Sequence, residues 1–266
     1  MKSKKIFAVL CSMLMITALF AGCANKKDAT PGGLARVKTA GKLVVGLDDS
    51  YPPMEFRDES NNLVGFDIDL GNEIGKRLGV KTEFLPTDFN GILVALGTGK
   101  FDCIISSLSI TDERKKTIDF SSSYLDGGQI VIVKKSNTTI KTKADLTNKT
   151  IGAQLGSTGE QAASKVTGVK EVKKYDKITE AMHDLIIGRI DCIVADKQVG
   201  EYYISKDTKN YRILSDTLTV EPTGIGFKKT DTALKDAAQK AMNDMKTDGT
   251  FSKISTKWFG HDIYKK

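Results

Sequence analysis

Residues 101–121 read Phe-Asp-Cys-Ile-Ile-Ser-Ser-Leu-Ser-Ile-Thr-Asp-Glu-Arg-Lys-Lys-Thr-Ile-Asp-Phe-Ser. The apolar run from Phe101 to Ile105 is short and rich in β-branched residues, and Gly99 precedes it, which is typical of a buried strand. Hydroxyl side chains follow this strand at once, at Ser106, Ser107 and Ser109. Because open α/β sheets bind ligands at the carboxyl ends of their strands, the sequence predicts a small-molecule site here.

A short helix is expected next, with Thr111 as its N-cap and two acidic residues in its first turn. Arg114 departs from this pattern, because a cation near a helix N-terminus opposes the helix dipole. A guanidinium group is favourable there if it faces an anion, and its parallel donors suit a carboxylate. The alternative is that Arg114 pairs with Asp112 or Asp119 on a solvated face. The neighbouring serines favour the ligand-binding interpretation.

The composition is that of an ordinary globular protein. The chain has 266 residues, of which 40% are hydrophobic, enough for one large domain or two modest ones. Its formal net charge is +7, but the lysines are interspersed with acidic residues rather than clustered with aromatic ones. This pattern favours a solvated surface, so no nucleic acid is expected as a partner.

The amino terminus has the pattern of a secretory leader. Lysines precede an apolar run, residues 6–20, that is too short to span a membrane comfortably. Residues 19–23 read Leu-Phe-Ala-Gly-Cys, which resembles a bacterial lipobox. We therefore expect a lipoprotein signal peptide over 1–22, lipidation of Cys23, a tether over 23–37, and anchoring to the outer face of the cell membrane. The alternative is an ordinary signal peptide, with Cys23 incidental.

A βαβ pattern leads up to the serines. Residues 42–47 form a predicted strand, and apolar residues then recur every four positions from Phe66 to Leu78, which indicates a helix. Another strand is predicted over 81–85, followed by a helix capped by Asp88. This order predicts a parallel sheet.

The same order returns farther along the chain. A strand is predicted over 149–154, and Ser157 and Glu160 are spaced as a capping box for the next helix. Residues 189–196 then read Arg-Ile-Asp-Cys-Ile-Val-Ala-Asp, against Lys-Phe-Asp-Cys-Ile-Ile-Ser-Ser at 100–107. The repetition predicts an α/β fold of two lobes, each a sheet flanked by helices, with a ligand cleft between them.

Two segments are expected to cross between the lobes, residues 127–134 and 218–228. The first lobe would then comprise 38–128 and 220–266, and the second lobe 129–219. The tail is expected to pack onto the first lobe through one apolar helical face and three further anchors. These residues are Leu234, Ala238, Ala241, Met242 and Met245, then Phe251, Ile254 and Trp258.

Cys103 and Cys192 lie in predicted apolar strands of different lobes, so we expect buried free thiols rather than a disulfide. The only histidines, His183 and His261, are not spaced in the sequence as zinc ligands are. No metal and no cofactor are expected. The histidines also have no partners for a Ser-His-Asp arrangement, which argues against catalysis.

Several motifs resemble those of one protein family. They are Gly65-Phe66-Asp67-Ile68-Asp69-Leu70, Asp88-Phe89-Asn90-Gly91, residues 106–112, Gly156-Ser157-Thr158, Asp248-Gly249-Thr250 and Trp258-Phe259. On these motifs the chain resembles the family 3 extracytoplasmic solute-binding proteins of ABC amino-acid importers, over residues 38–260. It looks closest to the lysine/arginine/ornithine-binding branch, with the glutamine-binding branch nearby. The resemblance implies a type II periplasmic-binding-protein-like fold and a monomer that delivers a free L-amino acid to a membrane permease.

The resemblance also implies roles for single residues. Arg114 is expected to hold the ligand α-carboxylate, helped by backbone amides near Ser109 and by Thr158. Asp196 is expected to bind the α-ammonium group with oxygens of Ser107 and Ser109. Because Arg114 and Asp196 come from opposite lobes, only a closed cleft satisfies both charges. For Asp196 alone, a helix N-cap is the alternative.

Asp48, Tyr51 and Phe89 are left for the ligand side chain, which favours arginine, lysine or ornithine over glutamine or cystine. The alternative for Asp48 is a turn aspartate that bonds its own loop. Gln154 stands where the basic-amino-acid branch usually has leucine, so specificity among polar amino acids stays open. The predicted site also includes Ser106 and Ser157. An extracytoplasmic dehydratase is the rival from another class, since some resemble this fold.

Overall fold

The computed structural model describes residues 32–264. The predicted signal peptide, Cys23 and the first part of the predicted tether lie outside this range. Within it the α-helices are α1 (Gly33–Ala40), α2 (Phe66–Arg77), α3 (Ile92–Gly97), α4 (Asp112–Lys115), α5 (Thr158–Ser164), α6 (Ile178–Ile187), α7 (Lys197–Lys206), α8 (Thr232–Thr247) and α9 (Thr250–Phe259).

The same residues form strands β1 (Lys42–Leu47), β2 (Ser50–Tyr51), β3 (Glu55–Arg57), β4 (Leu63–Val64), β5 (Lys81–Pro86), β6 (Cys103–Ile104), β7 (Ile118–Phe120), β8 (Leu125–Gly127), β9 (Gln129–Lys134), β10 (Thr150–Gln154), β11 (Glu171–Tyr175), β12 (Cys192–Asp196), β13 (Tyr211–Thr217), β14 (Glu221–Thr223) and β15 (Gly226–Lys228). Two short 3-10 turns, Phe89–Gly91 and Lys143–Leu146, complete the regular structure of this part of the chain.

The strands form two five-stranded sheets with the same layout. The first has the order β5-β1-β6-β15-β7 and the second the order β11-β10-β12-β9-β13. We call the part of the chain built on the first sheet lobe 1 and the part built on the second sheet lobe 2. The predicted two-lobed α/β fold is thereby confirmed.

The sheets are mixed rather than wholly parallel. β1 runs parallel to β5 and β6, and β10 runs parallel to β11 and β12, as the βαβ pattern predicts. β15 and β9, however, join β6 and β12 antiparallel. The reason is that these two strands enter their sheets from the other lobe rather than through a crossover helix.

The repeat extends to the packing inside each lobe. Gly46 of β1 lies so close to Phe101 that a Cβ there would be 2.4 Å from the ring. Gly152 of β10 holds the equivalent place, where a Cβ would lie 2.5 Å from Cδ1 of Ile190. In each lobe, therefore, a glycine on the strand that runs parallel to the central strand leaves room for a large side chain. That side chain belongs to a residue just before the central strand.

A two-stranded ribbon lies outside the two main sheets. β8 pairs antiparallel with β14, and the chain continues from β8 into β9 of lobe 2 and from β14 into β15 of lobe 1. The ribbon therefore carries the chain out of lobe 1 and back again. It overlaps the two crossing segments predicted over 127–134 and 218–228.

Three local expectations need correction. The predicted tether over 23–37 is wrong for its last residues, because α1 begins at Gly33 and buries Val37 in the hydrophobic core. The predicted strand over 101–105 is shorter, with strand pairing only at Cys103–Ile104, although the whole segment is buried. Asp88 precedes a 3-10 turn and makes no side-chain cap bond.

The tail packs as the apolar pattern indicates. The buried residues of α8 are Leu234, Ala238, Ala241, Met242 and Met245. Phe251 and Ile254 are buried in α9, and the half-buried Trp258 donates a 2.7 Å hydrogen bond to Asp69 of α2. Cys103 and Cys192 are buried free thiols. None of the helices within residues 32–264 has the length and apolar character needed to cross a membrane.

Candidate functional site

A small cavity lies between the lobes, where the central strands of both sheets end. It is lined by every predicted ligand-binding residue except Asp48, and by two residues that were not predicted, Glu55 and Gln129. The full lining is Tyr51, Glu55, Phe89, Ser106, Ser107, Ser109, Arg114, Gln129, Gln154, Ser157, Thr158 and Asp196. These residues come from both lobes, so the fold brings the predicted site together.

Residues 106–109, here called the serine loop, leave β6 in a strained turn. Ser107 has a φ of 45°, in the left-handed region that is unfavourable for residues other than glycine. Its backbone N–H donates a 2.7 Å hydrogen bond to Oδ2 of Asp67, the second residue of α2. Ser106 Oγ accepts a 3.0 Å hydrogen bond from the backbone of Asp48. A buried carboxylate and a backbone amide of lobe 1 therefore hold the serine loop in place.

Arg114 lies inside the site rather than on a solvated face. Its side chain is 6% exposed, Nη1 donates a 2.9 Å hydrogen bond to the carbonyl of Ser109, and the guanidinium lies 5.5 Å from the centre of the Phe89 ring. Thr111 caps the helix, as predicted, by accepting a 3.2 Å hydrogen bond from the backbone of Arg114. Burial lowers the pKa of Arg114, and the carboxylate of Asp196 opposes that shift.

The ion pair offered as the alternative for Arg114 does not form. Asp112 pairs with Lys115, and Asp119 pairs with Lys235. Arg114 therefore keeps donor capacity for another group in the cleft.

Asp196 ends β12 and holds the N-cap position of α7, yet its side chain makes no cap bond. Oδ1 accepts a 2.5 Å hydrogen bond from Nε2 of Gln129, and Oδ2 accepts a 2.9 Å bond from the phenol of Tyr51. Burial raises the pKa of Asp196 to about 6, although the hydrogen bonds from Tyr51 and Gln129 favour the charged form. The N-cap alternative for this side chain is therefore wrong.

In the Gly156-Ser157-Thr158 segment, the side chain of Thr158 contacts lobe 1, whereas the side chain of Ser157 caps the helix that follows it. Thr158 Oγ1 lies 3.1 Å from Ser109 Oγ across the cleft. Ser157 Oγ instead accepts the cap bond from the backbone of Glu160 and donates to the carbonyl of Gln154. The carboxylate of Glu160 accepts from the backbone of Gly156, so the capping box is displaced by one residue.

Asp48 bonds its own loop, as the alternative for it predicted, and it also reaches lobe 2. Oδ1 accepts hydrogen bonds of 2.8 Å from the backbone and 2.6 Å from the hydroxyl of Ser50, so it does bond its own loop. Oδ2 accepts from Nε2 of Gln154 on lobe 2. Burial raises the pKa of Asp48, and the bonds from Ser50 and Gln154 oppose that shift. Asp48 lies behind Gln154 rather than on the wall of the cavity.

Three polar residues of the site were missed at the level of sequence. Gln129 opposes Asp196 in the β9–β12 pair, and a lone glutamine at the start of an apolar crossing segment is the signal that could have identified it. Gln198 donates a 2.9 Å hydrogen bond to Ser107 Oγ. Glu55 is 1% exposed and accepts a 2.8 Å bond from Ser106 Oγ. An acidic residue between Met54 and Phe56 was its only local signal.

The cavity is narrow because side chains of the two lobes contact each other. Its volume of about 10 Å³ is roughly the room that one water molecule needs. Next to Asp48 in the chain, Asp49 of lobe 1 pairs with Arg57 at 2.6 Å and with Lys177 of lobe 2 at 3.2 Å. A ligand larger than water must therefore part these contacts between lobes to enter.

Histidine chemistry is not part of this site. The side chain of His183 is 70% exposed, and His261 lies on the tail beyond α9. In the part of the chain that the structure describes, no group of three or more His, Cys, Asp or Glu residues could hold a metal ion.

The sequence comparisons agree on one protein family. Residues 43–261 match the family described as bacterial extracellular solute-binding proteins, family 3. The L-cystine-binding protein TcyJ of Escherichia coli (strain K12) is 36% identical over 254 residues, which cover 95% of each chain. The L-arginine-binding protein of Pseudomonas aeruginosa is 33% identical over 230 residues, covering 83% of this chain and 88% of that protein.

Solved structures agree with the fold. An ancestral arginine-binding protein bound to arginine has a TM-score of 0.79 and 46% identity to this chain. The match covers 83% of this chain and 99% of that one. An ancestral arginine-binding protein bound to glutamine gives the same TM-score, identity and coverage.

Proposed function

Because the chain belongs to the bacterial extracellular solute-binding proteins of family 3, we propose that it captures a basic L-amino acid and delivers it to an ABC-transporter permease. Arginine, lysine and ornithine are the preferred ligands. Proteins of this family bind amino acids outside the cytoplasm, and the proposal adds the ligand, the residues that hold it and the partner.

The observation that carries the proposal is the placement of charges around the cleft. Arg114 on lobe 1 and Asp196 on lobe 2 lie close enough for each to shift the pKa of the other. A free amino acid has an α-carboxylate for the first and an α-ammonium group for the second, and it reaches both only when the lobes are together. Ligand binding would therefore close the cleft and create the form that the permease recognises.

Acidic groups outnumber basic ones in this region. Asp196 lines the cavity together with a single cation, Arg114, and two further acidic groups lie just behind the wall, Asp48 behind Gln154 and Asp67 behind Ser107. A negative field of this kind favours a ligand with net positive charge. A long aliphatic stem could lie against Tyr51 and Phe89 while its cationic head displaces Gln154 from Asp48.

Cystine is the second candidate, and one ion pair between the lobes favours it. Asp49 and Lys177 form this pair of opposite charges, which would suit the distal ammonium and carboxylate groups of cystine. The cystine-binding relative noted above supports the same candidate. Catalysis is not part of the proposal, because the serines of the cleft have no histidine beside them to act as a base.

The test is calorimetric titration of residues 24–266 with arginine, lysine, ornithine, glutamine and cystine. The proposal requires one of the three basic amino acids to bind most tightly, and small-angle scattering to show compaction when it binds. Tighter binding of cystine, abolished by Lys177→Met, would replace the first candidate with the second. If none of the five binds, the proposed function is wrong.

A further inference from the structure

Two buried carboxyl groups hold consecutive residues of the serine loop. Glu55 is 1% exposed and accepts from Ser106 Oγ, Asp67 is 0% exposed and accepts from the backbone of Ser107, and each of the two acids shifts the pKa of the other. One oxygen of each, Oε2 of Glu55 and Oδ1 of Asp67, is buried without a hydrogen-bond partner among the described residues. Two ionised carboxylates in this arrangement would repel each other and leave two buried acceptors unpaired. A single proton between these oxygens removes both problems.

The remaining contacts indicate which residue carries that proton. Oδ2 of Asp67 accepts a 2.7 Å hydrogen bond from the backbone of Ser107 and a 3.0 Å bond from the phenol of Tyr124. Two donors on one oxygen stabilise the ionised form of Asp67. Glu55 accepts one bond on its other oxygen, from Ser106 Oγ, and has no comparable pair of donors. The proton therefore belongs on Glu55.

We propose that Glu55 is protonated at neutral pH and donates to Asp67, so that the pair carries one negative charge and positions the serine loop for the ligand ammonium group. This inference rests on the proposed amino-acid site. Glu55 holds Ser106, and Asp67 holds the strained Ser107, whose hydroxyl lies 3.4 Å from Oδ2 of Asp196. Glu55 and Asp67 are thus positioning residues, because each acts on the ligand through a serine.

The titratable groups around the pair are consistent with one shared proton. Asp48 and Tyr51 face Glu55, while Tyr124 and Tyr264 face Asp67. None of these four is a cation that would stabilise a second negative charge. Burial and the Asp67 charge raise the pKa of Glu55 well above its usual range, and burial raises that of Asp67 to about 6. Both shifts favour keeping a proton within the pair.

Infrared spectroscopy tests the proton directly, and it needs no ligand. Protein labelled with carbon-13 at the glutamate side-chain carboxyl is expected to show an isotope-shifted band of a protonated carboxyl group at neutral pH. The band is expected to disappear in Glu55→Gln and to remain in Glu83→Gln, which alters an exposed glutamate of β5. Absence of the band in the parent protein would overturn the proposal, whether or not any amino acid binds.

Ligand titration tests the positioning role. Asp67→Asn removes the negative charge of the pair, whereas Glu55→Gln imitates the protonated acid. We expect Asp67→Asn to lose at least tenfold more affinity than Glu55→Gln for the amino acid that binds the parent. The reverse order would show that Glu55 meets the ligand as an anion and would overturn the proposal. If the parent binds no amino acid, the proposed function fails, while the infrared result still decides where the proton lies.

Discussion

The phenol of Tyr51 on lobe 1 donates a 2.9 Å hydrogen bond to Oδ2 of Asp196 on lobe 2. Both side chains are buried, and burial raises the pKa of each. The bond joins the lobes at the carboxylate proposed to bind the ligand ammonium group. A ligand must therefore compete with Tyr51 for Asp196, which couples recognition of the ligand to the contact that holds the lobes together.

The first prediction concerns the two charges of the proposed clamp. Arg114→Ala and Asp196→Ala are each expected to cost about 2–5 kcal/mol of binding free energy, because each leaves the opposite charge of the ligand buried and unpaired. This corresponds to a loss of roughly thirty- to several-thousand-fold in affinity by calorimetry. Arg189→Ala and Asp236→Asn, which alter charges outside the cleft, serve as controls. Wild-type affinity in either clamp variant would refute the assignment.

The second prediction concerns the side chain of the ligand. In Asp48→Asn the affinity for arginine is expected to fall more than about tenfold, because a buried cation loses its counter-charge. The affinity for glutamine is expected to fall less, since a neutral amide needs only a hydrogen-bond acceptor. Both ligands are titrated into the parent and the variant. Arginine binding that ignores the substitution would contradict the basic-amino-acid proposal.

The third prediction concerns pH. The pKa of Asp196 rises from 3.8 to about 6 in the folded protein, so ionising this carboxyl is less favourable there than in the unfolded chain. Its contribution to stability is present below pH 3.8 and is lost as the pH rises through about 6. As the pH rises over this window, the free energy of unfolding of Asp196→Asn is therefore expected to increase relative to that of the parent. Affinity for ligand is expected to change in the opposite sense and to rise with pH in the parent.

Urea unfolding of both proteins at a series of pH values measures this difference. Asp67 titrates in the same range, but it is present in both proteins and cancels in the comparison. A difference in stability that stays constant from acid to neutral pH would count against the raised pKa.

The fourth prediction concerns the packing of lobe 1. Gly46→Ala is expected to lower the free energy of unfolding by about 1–3 kcal/mol, because the new Cβ would overlap the ring of Phe101 in a filled core. Gly97→Ala is the matched control, since a Cβ there meets nothing within 4 Å. Urea unfolding is expected to show equal or higher stability for the control. Equal stability of Gly46→Ala and the parent would argue against this packing.

The fifth prediction concerns the amino terminus, where the lipobox-like residues 19–23 suggest an anchor. Cys23→Ala, expressed with the leader intact, is expected to move from the membrane fraction to the soluble or secreted fraction. Cys11→Ala, within the leader, is the control and is expected to remain with the membrane. If Cys23→Ala stays membrane-bound like the parent, the lipidation site is misassigned.

The local patterns of the sequence predicted the elements well. The four-residue spacing that begins at Phe66 corresponds to α2 (Phe66–Arg77), and the repeated Asp-Cys-Ile motif corresponds to the central strand of each lobe. The motifs also led to the family, which the match over residues 43–261 confirms. These features depend on neighbours along the chain, which is why sequence reasoning could reach them.

The missed residues depend instead on partners that only the tertiary fold supplies. Gln129 reaches Asp196 because β9 enters lobe 2 antiparallel to β12, whereas the βαβ pattern predicted only parallel neighbours. Glu55 of β3 is buried where the charge of Asp67 of α2 acts on it, and only the fold brings these two elements together. Asp48 was identified, but its bond to Gln154 crosses the cleft, and no spacing within one lobe could predict it.

The path of the chain through the two-stranded ribbon also has a kinetic consequence. The second sheet, β9 to β13, is one continuous segment, so it can fold as soon as that segment has been made. The first sheet cannot, because β15 lies between β6 and β7 and is synthesised after all of lobe 2. Phe227 of β15 pairs with Cys103, and this contact closes a very long loop. A chain that emerges amino terminus first will therefore complete its later lobe before its earlier one, with the edge of β6 uncovered in the meantime.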